Sequence, residues 1–444
     1  MDHFEEYYAD ELSEFGSDEE VDLGLDDEDP NPKLTENWWT CNFRPNLFEF
    51  NENPRVRIFV NEHSTSLTIF EHFFDENLMQ LIVYETNKYQ KQNKIGERNK
   101  MKSWYDASIA EMYCFFGIII LTGMIGKRRI RDYWSTDPLL HTPFFRQIFS
   151  RNRFYDLLRC IHFNDNRKND KTRLYKIQPV VDVLRKKFRF CTYPTKNLCI
   201  DESLMLWKGR LIFKVYIPSK RNRFGIKFFL LVDCASKIVL DFIIYTGHES
   251  QIKMNNEVGI SGSIVMTMMA PFLNKGHNLY VDNWYSSPNL FKLLYNNKTG
   301  ACGTVRKNRT GMPKLERRLN QGEVENKCDG NMLALKWKDK REVHMLSTIH
   351  DSSMIKTRKR KRNGMFVYKP ICVHDYSQNM GGVDKVDMQI SFTESIRKTV
   401  KWSKKVFFHM LDLSIFNSYA IYKHKKTLEL SFYEFKLDLV RNIF

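Results

Sequence analysis

The chain has no CxxC pair and no CxxC…HxxxH spacing, and its nine cysteines are scattered and odd in number. That pattern excludes a zinc finger and argues for reduced intracellular thiols rather than a disulfide framework. No apolar run reaches the about 20 residues that a bilayer span needs. The most apolar stretch, from Met112 to Ile125, reads as a buried helix instead. There is no amphipathic basic helix with a lipid-facing stripe and no lipidation motif, so a membrane is not the expected partner. The first 30 residues hold 14 Asp/Glu and no Lys or Arg, where an export signal would be basic and then apolar. No export is expected, and no internal repeat is visible.

What is present is a large apolar fraction and a basic body. Of 444 residues 42% are apolar and 14% aromatic, enough for two or three domains around a sizeable core. The formal net charge of +16 includes the acidic start, so the remainder is more basic still. Such a field favours polyanions, of which nucleic acid is the commonest.

The texture changes along the chain. Residues 1–36, acidic and closed by two prolines, read as a disordered tail. Residues 37–195 carry apolar positions at three- and four-residue spacing, as in RNRFYDLLRCIHFND, and predict helices with no competing strand pattern. From 196 to 307 strand-like runs dominate (LCIDESLMLW, GIKFFLLVDC, KIVLDFIIYTG), broken by helical stretches. Residues 308–371 lose periodicity, contain short β-like runs and read as an inserted module. Residues 372–397 return to the sheet's chemistry, and 398–444 are helical again.

Three aspartates follow apolar runs: Asp201 in NLCIDES, Asp282 in NLYVDNWYSS and Asp384 in NMGGVDKVDMQ. A carboxylate buried there costs several kcal/mol unless something positive pairs with it, and a divalent cation is the expected partner. Leu198 and Ile200 before Asp201, and Leu279 and Val281 before Asp282, alternate as strands do. Asp384 and Asp387, three apart, share one face of a helix. Carboxylates from separate rigid elements are what two hard cations need for in-line attack on a phosphodiester. A mixed α/β sheet with acids on its first strand, a later strand and a closing helix is the layout of an RNase H-like (retroviral integrase-like) nucleotidyl-transferase core.

At these residues the chain resembles the piggyBac transposase family. The likeness is carried in order by YWSTDPLLHTPFF, SRNRFYDLLRCIHFNDN, CIDESLMLWKGR, YIPSKRNRFGIK, VDNWYSS, GTVRKNRTGMPK, MLSTIHD and DYSQNMGGVDKVDMQ. The resemblance implies that Asp201, Asp282 and Asp384 are catalytic and bind metal, with Asp387 a further acid near two Mg²⁺ or Mn²⁺ ions. It implies cleavage of transposon ends through hairpin intermediates and joining into TTAA sites. It also implies an RNase H-like core split by the insertion, surrounded by a helical dimerisation and DNA-binding domain from two segments. Partners would be double-stranded DNA and a second copy of the chain, and the location the nucleus. The family's cysteine-rich zinc module has no counterpart cluster here, so no zinc is expected, and a domesticated DNA-binding or chromatin-interaction protein is the alternative reading.

Other residues carry weaker expectations. Lys208, Arg210, Lys214, Lys220, Arg221, Arg223 and Lys227 lie near the first strands and are candidates for phosphate contact against a plain solvated face. Lys356, Arg358, Lys359, Arg360, Lys361 and Arg362 are six basic residues in seven, consistent with nuclear import or DNA-backbone binding. Glu202 points to the opposite strand face from Asp201, which suits a structural role. Trp284 and Trp402 are core residues or base-stacking platforms. Cys372 and His374 are too few for a metal site.

Overall fold

The computed structural model describes residues 37–93, 104–167, 172–218, 223–247, 249–360, 364–395, 401–425 and 430–444, but not the side chain of Lys359. The acidic tail, Lys220, Arg221, Lys361 and Arg362 therefore lie outside the described residues.

The chain opens with a short strand β1 (Arg55–Val56), followed by helices α1 (Ser66–Phe70), α2 (Glu76–Asn93), α3 (Ile109–Ile125), α4 (Pro143–Ile148), α5 (Arg151–Cys160) and α6 (Gln178–Phe190). Next come β2 (Thr192–Tyr193), β3 (Asn197–Leu206), β4 (Val215–Tyr216), β5 (Phe224–Asp233) and β6 (Val239–Ile244). Two crossovers follow: α7 (Gly259–Met269) leads to β7 (Asn278–Val281), and α8 (Pro288–Asn296) to β8 (Gly300–Thr304). Strands β9 (Val324–Cys328), β10 (Leu333–Lys338), β11 (Glu342–Ser347), β12 (Met354–Arg360) and β13 (Phe366–Pro370) precede α9 (Ile371–Asn379), α10 (Gly382–Phe392), α11 (Trp402–Lys425) and α12 (Phe432–Ile443).

The helix α3 shows why its run is not a span. It begins at the Ser108 cap, whose side chain accepts from Glu111 N, and ends at left-handed Gly126 (φ 65°). Its 17 residues bury Phe115, Phe116 and Ile118 to Ile120 against other helices. No helix among the described residues is long and apolar enough to cross a membrane. The early and late helical segments form one body: Phe407 of α11 lies 4.3 Å from Phe163, 5.5 Å from Phe116 and 6.0 Å from Phe74 between ring centroids. A Cβ on Gly117 of α3 would meet the Phe444 ring at 2.8 Å, so α3 and the end of the chain pack at backbone range.

Most of α11 is buried, which requires partners for its polar side chains. Asp412 accepts from Lys436 Nζ (2.9 Å) and from Ser395 N and Oγ. Asn417 accepts from Val239 N and donates to Val239 O, both at 2.8 Å. One amide thus satisfies the backbone of β6 and ties the helices to the sheet. Below it Asp241, fully buried, is held by Arg185 and Arg189 of α6.

The main sheet has the order β4-β5-β3-β7-β8-β11-β10-β9, with β6 also on β5. Strands β3, β5 and β6 are antiparallel neighbours, while β7 and β8 run parallel to β3. Within the segment 308–371, β11 pairs with β8, so β9 to β11 extend the main sheet, while β12 and β13 form a ribbon apart from it. Two sequence expectations need correcting. The helical region 37–195 does contain strand, because β1 pairs with β2 at Arg55↔Tyr193. The expectation of thiols throughout fails at Cys41–Cys328, which form a disulfide. Trp39 and Cys328 exchange backbone hydrogen bonds of 2.9 Å, which brings together cysteines 287 residues apart in sequence.

Candidate active site

Strand β3 occupies the middle of the sheet between β5 and β7 and alternates in chemistry. Leu198, Ile200, Glu202 and Leu204 share one face; Cys199, Asp201, Ser203 and Met205 share the other. The last paired position between β3 and β7 is Ile200↔Val281. Asp201 and Asp282 therefore sit one residue further along two adjacent parallel strands. Register, a backbone property, brings these carboxylates together.

The turn after β7 is built to hold Asp282. Its Oδ1 accepts from Trp284 N (3.0 Å), and its carbonyl accepts from Ser286 N (3.1 Å) and Ser286 Oγ (2.9 Å). Ser287 then caps α8. Arg309 Nη2 donates to the carbonyls of Asn283 (2.8 Å) and Trp284 (2.9 Å), clamping the turn from outside. Asp201 Oδ1 accepts from Glu202 N at 2.8 Å.

Helix α10 lies over the face of β3 that carries Asp201. Gly382 approaches Cys199 so closely that a Cβ there would stand 2.5 Å from its Sγ, and Ser203 Oγ donates to Asp387 Oδ1 at 2.6 Å. Asp201 shares its strand face with Cys199 and Ser203, and Asp384, three residues before Asp387, shares that residue's helix face. Both carboxylates thus belong to one strand–helix interface, with Asp384 in the first turn of α10, where the helix dipole favours an anion.

A chain of side chains holds α9, the helix leading into α10. Asn278 Nδ2 donates to Asn197 Oδ1 (3.2 Å), Asn197 Nδ2 to Asn379 Oδ1 (3.2 Å), and Asn379 Nδ2 to Asp375 Oδ1 (3.0 Å). Tyr280 donates to Asp375, which also contacts His350 Nε2 at 2.9 Å, while His350 Nδ1 meets Ser347 Oγ at 2.9 Å. Burial pushes the Asp375 carboxyl up, but hydrogen bonds from His350 and Tyr280 outweigh it and hold the group below the ordinary value. Neither spacing nor composition points to this network, whose members come from β3, β7, β11, the loop after β11 and α9.

Lys227 is not a phosphate contact. It is 2% exposed, pairs with Glu202 Oε1 at 2.6 Å and lies 4.6 Å above the Trp284 ring. The reason is a diagonal across β3 and β5: Lys227 opposes Leu204, so it shares a face with Glu202 two residues earlier. Glu202 has the structural role expected for it. Trp284 is buried and stacks on Phe229 (5.8 Å, 7°), and Trp402 packs edge-on against Phe213. Lys208, Arg210 and Arg223 are exposed, and Lys214 is half-buried.

Donor chemistry and one orphaned atom bear on the fit to a metal. All the candidate donors are carboxylates, the hard oxygen ligands that Mg²⁺ and Mn²⁺ prefer. The buried hydroxyl of Tyr285 has no hydrogen-bond partner, and burial first, then Glu202, Asp201 and Asp282, push its pKa well up. Tyr376 is raised by burial and then by Asp282. The spot where β7 ends beside the middle of β3 is electronegative, as a cation site is. Among the described residues, however, no three His, Cys, Asp or Glu side chains are gathered closely enough to hold an ion together. Two acids meet on the strands and the third lies on the helix above, short of one ligand shell.

Fold and acids together define a protein of the transposase class: residues 65–419 match the family described as Transposase IS4, and the chain belongs to it. Within that class its relatives are piggyBac-type. It is 24% identical over 408 residues to PiggyBac transposable element-derived protein 2 of Homo sapiens and 25% over 391 to protein 3 of the same series. These alignments cover 87% and 85% of this chain but 66% and 64% of theirs, so the chain spans a little under two thirds of those relatives' length. A cryo-EM structure of the piggyBac transposase synaptic complex with hairpin DNA matches with a TM-score of 0.73 and 26% identity, covering 86% of this chain and 80% of that one. The mixed α/β fold is that of the piggyBac transposase, with its RNase H-like core.

Proposed function

We propose that this protein is a metal-dependent DNA transposase that cuts transposon ends, passes through hairpin intermediates and joins the ends into TTAA sites. The observation that carries this reading is the register of β3 and β7, which sets Asp201 and Asp282 side by side beneath the helix bearing Asp384 and Asp387. Asp201, Asp282 and Asp384 would hold two Mg²⁺ or Mn²⁺ ions, with Asp387 beside them. Bound there, the ions activate the attacking oxygen and stabilise the leaving one. The chain's own contribution is positional. Arg309 and Ser286 hold the turn that presents Asp282, and Ser203 anchors Asp387 and with it α10. The piggyBac neighbour was solved with hairpin DNA, which supports double-stranded DNA as the substrate here. Work on paired transposon ends implies a homodimer, and work on chromosomal DNA implies the nucleus, which light scattering on DNA and a fluorescent fusion would test.

The separation of the acids favours a second reading, a domesticated DNA-binding protein that no longer transfers strands. Cleavage of a TTAA-flanked transposon end in Mg²⁺ or Mn²⁺ decides between them. The transposase reading expects wild-type nicking, at least a thousandfold lost in Asp201→Ala or Asp282→Ala, with DNA affinity retained because Lys and Arg contacts to the backbone supply most of it. Wild-type-like nicking by either variant would remove that residue from the mechanism; no nicking by any form would leave the domesticated reading.

A further inference from the structure

The basic run KTRKRKR has a shape that its composition conceals. It is not a linear tail: Lys356, Arg358 and Arg360 lie on β12, paired with β13 in a two-stranded ribbon outside the main sheet. Exposure alternates along it, with these three exposed and Ile355 and Thr357 half-buried. The ladder is irregular between Lys356 and Arg360, where four residues of β12 pass two of β13. The Phe366 ring lies between two of the exposed cations, 3.6 Å from Lys356 Nζ and 4.5 Å from the Arg360 guanidinium carbon. Tyr368, opposite Lys356, is 53% exposed. Two like charges are thus fixed against one ring, and no carboxylate among the described residues pairs with Lys356, Arg358 or Arg360. Holding them so is unfavourable until an anion arrives.

We propose that the β12–β13 ribbon is a DNA-binding element separate from the aspartate site, inserted in the major groove of a B-form duplex with its cations on the flanking phosphates. A groove about 12 Å wide admits a two-stranded ribbon, and other proteins read DNA in this way. The proposal rests on the DNA-acting part of the reading above and not on catalysis.

The test is fluorescence anisotropy of a short DNA duplex with the full chain in EDTA, so that cleavage plays no part. Each phosphate contact contributes about 0.9 to the slope of log affinity against log salt. Lys356→Ala/Arg358→Ala/Arg360→Ala should lower that slope by about 2 to 3 and weaken binding at least tenfold near physiological salt. Arg358→Ala alone should lower it by about 0.9; among the described residues the Arg358 side chain makes no hydrogen bond, ion pair or ring contact, so that loss would not come from unfolding the ribbon. An unchanged slope in the triple variant overturns the proposal. So does loss of nuclear accumulation by a fluorescent fusion with DNA affinity intact, which would assign the ribbon to an import receptor. A reduced slope in a protein that cleaves nothing would sustain the ribbon and sink only the transposase.

Discussion

The two halves of the acidic site are held by different physics. Asp201 and Asp282 are placed by backbone register in the middle of the sheet, and moving one relative to the other means breaking strand pairing. Asp384 and Asp387 ride on α10, which is fixed to β3 by a glycine contact and one side-chain hydrogen bond, and through α9 by the network around Asp375. The strand half is preformed by main-chain pairing, and the helix half rests on side-chain packing, with Val383, Val386 and Ile390 of α10 buried.

The comparison breaks most severely at Gly382. A methyl group there meets Cys199 Sγ at 2.5 Å, so Gly382→Ala should lift α10 from β3, costing about 1–3 kcal/mol and cutting cleavage at least tenfold. Thermal melting and a nicking assay would measure both. Cys199→Gly in the same chain should restore much of each, and a failure to do so would mean that α10 is not seated by this contact.

A smaller effect is expected from the network that carries α9. Asp375→Asn replaces the charged acceptor shared by His350 and Tyr280 with a neutral one and should destabilise by about 1–1.5 kcal/mol, the difference between hydrogen bonds to charged and to neutral groups. Because the folded carboxyl holds its proton less tightly than an unfolded one, this contribution is complete above the ordinary Asp range near pH 4. It disappears as pH falls through the lower folded value. Urea melts at neutral pH and near pH 3 should therefore differ between wild type and variant at neutral pH and converge in acid. Equal differences at both would contradict the assignment.

Ser203→Ala is the mildest change. It removes the donor to Asp387 and should cost about 1 kcal/mol, lowering cleavage a few fold while DNA affinity stays constant. Unchanged cleavage would show that Asp387 needs no anchor on β3.

The preformed half was the legible half. Alternating apolar residues before Asp201 and Asp282 predict buried strands, and the structure pairs those strands directly. The spacing of Asp384 and Asp387 predicts a shared helix face, but not which strand that face covers, since this depends on Gly382 and Ser203 meeting across the fold. Lys227 was misread because sequence shows a cation near other cations, whereas the neighbour that buries it, Glu202, is 25 residues away and diagonal on the sheet. The Asp375 network and Cys41–Cys328 were invisible for the same reason: their partners are chosen by topology. Strands β9 to β11 have ordinary β-like sequences, and only the exposed edge of β8 decides that they extend the main sheet.

If the strand-borne and helix-borne carboxylates serve one metal site, removing either kind abolishes metal binding. Mn²⁺ binding to the full chain, followed by the electron paramagnetic resonance of the free ion, tests it without requiring turnover. The account predicts that wild type binds Mn²⁺ at the site, and that Asp384→Ala loses this binding as completely as Asp201→Ala does. Undiminished Mn²⁺ binding by Asp384→Ala, with Asp201→Ala defective, would contradict it and leave α10 outside the site.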